Sequence, residues 1–194
     1  MSKHSVMTGD AVIAQSSMTV WHWPNHPRWY DEGLRETLRE IRRAGFSHIN
    51  WNPDSGSSYW YAKSEIDFIA CCIADADLET MTLHASNGVN TVPEKAFLLR
   101  EDRKDIHSPN LWQRQAAGEL LQNRVDLAKA LNCPNMVLHV DLRDCHHESR
   151  EAEEAFYGPL LETLDAVRPY CLEAGVKIAV ENLTGASADN FLKL

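Results

Sequence analysis

Five short apolar runs recur along this chain, and a stretch with helical periodicity separates each from the next. The runs are "SMTVWHW" (17–23), "FSHINWN" (46–52), "ETMTLHAS" (79–86), "NMVLHVDL" (135–142) and "VKIAVENL" (176–183). All have strand length and composition. Between the first two, Asp31 is placed to cap a helix with Leu34, Leu38, Ile41 and Ala44 on one face, and Gly45 ends it. Ser64 starts the next helix, with Asp67 completing a capping box and Ile66, Ile69, Ala70 and Ile73 in one stripe. A third helix is expected from Pro109 to Leu131. Its apolar face holds Ala117, Leu120, Leu121, Val125, Ala128 and Leu131. Arg124 falls within that face, so it must snorkel or meet an acidic partner. Leu160, Leu164, Val167 and Cys171 mark a fourth helix, which Pro169 should kink or interrupt and Gly175 should stop.

Strands that alternate with helices imply a parallel sheet with helices packed outside it, an α/β fold. The repeat, a little over thirty residues, matches one unit of a (β/α)8 TIM barrel of ~250 residues. An open doubly wound sheet usually carries a Gly-rich phosphate loop after its first strand. Neither G-x-G-x-x-G nor G-x-x-x-x-G-K-[ST] occurs here, which favours the barrel. The expected organisation is a loose, aperiodic arm over 1–17 and five βα units of a partial barrel over 18–194.

Composition closes off several functions. A net charge of −9 argues against a surface built for nucleic-acid phosphates. No apolar run approaches a membrane span, and "AVIA" is too short for a secretory core. Five cysteines without a C-x-x-C pair suit reduced thiols and a cytoplasmic setting.

The polar residues fall at the strand ends. They are Trp21, His22 and Trp23, then Trp51 and Asn52, His84 and Ser86, His139 and Asp141, and Glu181 and Asn182. In a parallel barrel these ends share one face, where catalysis is built. A single strand histidine is more often a satisfied core residue than a ligand. Glu181 is different, because an ionised carboxylate closing an apolar run is costly unless paired or metal-bound. Trp51 suits packing as well as a pocket wall. The "CHHES" stretch, Cys145 to Ser149, has metal-like composition but no ligand spacing, so a solvated loop is expected. No G-x-S-x-G elbow supports a serine hydrolase.

On "GFSHINWN", "LHASNG", "SPNLWQRQAAGELLQNRVDLAKALNCPNMVLHVDL" and "YCLEAGVKIAVENL", residues 18–194 resemble the xylose-isomerase-like TIM-barrel superfamily of sugar and sugar-phosphate isomerases and epimerases. The E-N pair ending the fifth strand is the most specific feature. The resemblance implies that Glu181 binds a divalent metal and serves in proton transfer. It implies that His84 and His139 line the site, with their part in metal ligation left open. Trp51, Asn52 and Asn182 are carried as substrate-side candidates. The implied reaction is proton transfer beside the carbonyl of a small sugar or polyol, through an enediolate that Mn²⁺, Mg²⁺, Co²⁺ or Zn²⁺ stabilises. The family completes its metal shell on strands six to eight, which would follow Leu194. The chain alone is therefore expected to be inactive and to self-associate through open sheet edges. The alternatives are an apurinic-site-endonuclease-like phosphodiesterase, which the acidic balance disfavours, and a non-catalytic barrel remnant that needs a partner chain.

Overall fold

Parallel neighbours cannot be joined by a hairpin, so the chain must cross over between them. The computed structural model describes residues 5–7, 32–52, 58–86, 88, 104–140 and 149–181. Their elements are β1 (Ser5–Met7), α1 (Leu34–Arg43), β2 (His48–Trp51), α2 (Lys63–Asp75), β3 (Glu79–His84), α3 (Leu111–Ala130), β4 (Asn135–His139), α4 (Arg150–Ala174) and β5 (Lys177–Glu181). Every strand pair is parallel, and the five strands lie in chain order from β1 to β5. A doubly wound sheet would reverse its order at a switch point. Unbroken sequential order is the winding of a barrel, and the chain forms part of one.

The pleat decides which residues meet the helices. On β4, Met136 and Leu138 are fully buried, whereas Asn135, Val137 and His139 are half-buried. The first pair joins a core with Leu38 of α1, Ile69 of α2 and Leu121 of α3. The second set faces the inside of the barrel. β5 repeats the alternation with more exposure, as the outermost strand on its side among the described residues.

Several local expectations need correction. Ser5–Met7 lies within the stretch read as a loose arm, yet it pairs with β2 through Ser5–His48, Val6–Ile49 and Met7–Asn50. Three residues are too few for periodicity to show, and backbone pairing places them. The strand expected at 17–23, the Asp31 cap, Asp141 and most of "CHHES" lie outside the described residues. Ala44 is exposed because α1 stops at Arg43, where Gly45 turns the chain at φ +93°. The capping box does not form. Ala62 is the extended residue before α2, so Ser64 already lies in the first turn, and Asp67 instead pairs with Lys63 at 2.6 Å. α4 starts ten residues before Leu160, where Ser149 Oγ accepts from the Ala152 amide at 3.2 Å. It runs past both Pro159 and Pro169 without interruption. Its first turns hold good helix formers with few apolar residues, so no stripe announced them.

Arg124 does not snorkel, being 0% exposed. It donates to the Tyr59 carbonyl at 2.7 Å and to Asn123 Oδ1 at 3.1 Å, and its guanidinium lies 4.6 Å from the centre of the Tyr61 ring. Asn123 in turn accepts from the Tyr61 amide at 2.9 Å and donates to the Tyr61 carbonyl at 2.8 Å. Two adjacent residues of α3 thus clamp the segment that links β2 to α2.

Candidate metal centre at the ends of β3, β4 and β5

Strand register alone brings three of the expected residues together. His84 of β3 is aligned with Val137 of β4, and His139 of β4 is aligned with Glu181 of β5. Val137 and His139 are two residues apart and so share a face. All three side chains therefore project from the inner face at the C-terminal ends of neighbouring strands.

The contacts are close. His139 Nε2 lies 2.7 Å from Glu181 Oε2, and His84 Nε2 lies 3.7 Å from the same oxygen. The two imidazole rings meet edge to face, with centroids 5.1 Å apart. His84 is buried at 6% exposure, whereas His139 and Glu181 are partly open. A carboxylate oxygen facing two ring nitrogens is satisfied either by Nε2–H donors from the imidazoles or by a cation held between the three groups. One ligand atom from each residue can be chosen so that all lie within 4.8 Å of one another. Two imidazole nitrogens and a carboxylate oxygen are a donor set that first-row divalent cations accept. The residues present therefore fit a divalent metal.

The other candidates are distributed differently. Trp51 is 2% exposed and belongs to the hydrophobic core, aligned with Leu83 on the helix-facing side. It is not brought to the cluster, because strand alternation turns it away from the inner face. Its indole nitrogen is buried with no hydrogen-bond partner among the described residues. Asn52 lies one residue beyond β2. Asn182 lies outside the described residues. Ser86 is buried and accepts from the Gly88 amide at 3.0 Å.

Asn50 was missed. Thr82 Oγ1 donates to Asn50 Oδ1 at 2.9 Å, and the two residues are aligned in the β2–β3 register. Thr82 precedes His84 by two residues on β3, so this polar pair continues the inner face beside the cluster. The signal was present in "HINWN", where polar 48, 50 and 52 alternate with apolar Ile49 and Trp51.

Known proteins agree with this architecture. Residues 17–194 match the model of a family described as the xylose isomerase-like TIM barrel. The uncharacterized protein y4fM of Sinorhizobium fredii is 53% identical over 182 residues, covering 91% of this chain and 58% of its own length. The chain thus spans little more than half of that relative. A putative sugar phosphate isomerase/epimerase of Anabaena variabilis has a similar structure, with a TM-score of 0.59 at 17% identity over 95% of this chain and 55% of its own. A D-allulose 3-epimerase of Methylomonas sp., solved with D-allulose, gives 0.56 at 15% identity over 83% and 51%. A xylose isomerase-like TIM barrel protein of Mycobacterium smegmatis, solved with magnesium, gives 0.54 at 13% over 98% and 59%. At such identities these structures speak for the fold. With a family model spanning nearly the whole chain and a barrel order of parallel strands, the protein belongs to the xylose isomerase-like TIM-barrel family.

Proposed function

We propose that His84, His139 and Glu181 are part of the divalent-metal site of a sugar or sugar-phosphate isomerase or epimerase. The observation that carries this reading is their convergence at the C-terminal ends of three adjacent parallel strands, the face on which barrel enzymes build their sites. When bound, the cation supplies a Lewis acid that polarises a substrate carbonyl. Two imidazoles among three donors favour Co²⁺ or Zn²⁺ over Mg²⁺.

The chain's own residues divide the remaining work. Both imidazoles face Glu181 Oε2, which leaves Oε1 as the oxygen that takes a proton from the carbon beside the carbonyl. His139 fixes the carboxylate by its 2.7 Å contact. His84, packed in the sheet, anchors the group from the buried side. The Asn50–Thr82 pair offers polar contacts to substrate hydroxyls along the same face.

The test is isotope exchange. The chain, supplemented with a polypeptide carrying barrel strands six to eight and loaded with Mn²⁺ or Co²⁺, is incubated in D₂O with ketohexoses and their phosphates, and NMR follows deuterium at the carbon beside the carbonyl. Exchange that depends on metal and is lost in Glu181→Gln is expected. No exchange with any of these compounds, or equal exchange in Glu181→Gln, would overturn the proposal.

A further inference from the structure

Segments that follow strands lie on the same side of the sheet as His84, His139 and Glu181, because each leads from a strand's C-terminal end towards the next helix. Two such segments meet. A Cβ built on Gly88, four residues past His84, would fall 1.6 Å from the Lys104 carbonyl oxygen. Only a glycine, here at φ +81°, permits that approach. The backbone of Lys104 is therefore held within four residues of the site, a span of at most about 14 Å.

The Lys104 side chain reaches from there to the segment after β2. Its ammonium donates to the Ser58 carbonyl at 3.2 Å and lies 6.0 Å from the centre of the Trp60 ring. An ammonium has three donors, and one is used by Ser58. Among the described residues no carboxylate lies within ion-pair distance of it, in a chain of net charge −9. Trp60 is 51% exposed, although its neighbour Tyr61 is buried and gripped by Asn123 and Arg124. A buried clamp thus fixes a segment whose largest apolar side chain faces solvent.

We propose that Trp60 and Lys104 form a rim subsite for the anionic end of a phosphorylated sugar. The indole face packs on the C–H face of the sugar skeleton, and the ammonium takes a phosphoryl oxygen. The reacting carbonyl would lie towards His84. This deepens the isomerase reading and rests on it for the position of the reacting end.

Calorimetric titration with D-fructose 6-phosphate, D-fructose and Mn²⁺ tests it on the wild type, Lys104→Met, Trp60→Ala and the control Lys129→Met. Lys129 is an exposed cation in the last turn of α3, so the control removes the same charge elsewhere. Lys104→Met should weaken fructose 6-phosphate roughly five-fold. The same substitution should leave fructose and Mn²⁺ unchanged, and Lys129→Met should change none of the three. Trp60→Ala should weaken both sugars. Equal fructose 6-phosphate affinity in wild type and Lys104→Met, or no saturable binding by wild type, overturns the subsite. Unchanged Mn²⁺ affinity in Glu181→Gln would instead sink the metal reading and leave the Lys104 comparison standing.

Discussion

Replacing Asn123 by alanine isolates the clamp between α3 and the segment entering α2. The carboxamide makes two hydrogen bonds with the Tyr61 backbone, at 2.9 and 2.8 Å, and accepts a third from Arg124. Asn123 and Tyr61 are both buried, at 4% and 1% exposure, so water cannot take over these contacts without opening the structure. A buried backbone group that loses its partner costs about 1–3 kcal/mol. Two such groups put the loss at about 2–6 kcal/mol, before any effect on Arg124. For a chain of 194 residues each kcal/mol shifts Tm by roughly 2–4 °C, so a fall of about 4–24 °C is expected. Circular dichroism at a fixed scan rate reads it, with Gln122→Ala as the neighbouring control. A shift below about 2 °C would show that the clamp does not hold the fold.

Three further outcomes follow from the same structure. Arg124→Ala should also lower Tm, by about 2–4 kcal/mol of stability, while leaving Mn²⁺ affinity within two-fold in calorimetry. Burial pushes the Cys133 and Cys171 thiols up, and Cys71 is exposed. Iodoacetamide at neutral pH, followed by peptide mass spectrometry, should therefore label Cys71 well before either of them. Metal affinity should fall on acidification from neutral into the mildly acidic range, because imidazole ligates only when neutral and protons compete for it. A flat affinity over that range would exclude the histidines as ligands.

How far the sequence reached depended on the range of each signal. The alternation of strand and helix segments is local, and it placed β2 to β5 and all four helices. Glu181 was legible because a carboxylate ending "VKIAV" contradicts its surroundings. His84 and His139 were legible only through their shared position at strand ends. Trp51 ends β2 as expected and takes the packing role of its two readings, because the pleat of "HINWN" turns it towards the core and away from the cluster. Arg124 stood out as a cation on an apolar stripe. Its partners Tyr59 and Tyr61 lie more than sixty residues away, and no local pattern connects them. The start of α4 was hidden for a related reason, since its first turns pack few apolar residues and leave periodicity nothing to count.

The central claim is that His84, His139 and Glu181 hold one divalent cation together. Calorimetric titration of Mn²⁺ and Zn²⁺ into the wild type, His84→Gln, His139→Gln and Glu181→Gln tests it most directly. Tm and circular dichroism confirm that each variant folds. A single saturable site is predicted, weakened about ten-fold or more by each substitution, with the pair His139→Gln and Glu181→Gln showing non-additive losses because the two groups touch at 2.7 Å. Wild-type affinity in a folded Glu181→Gln variant would contradict the account.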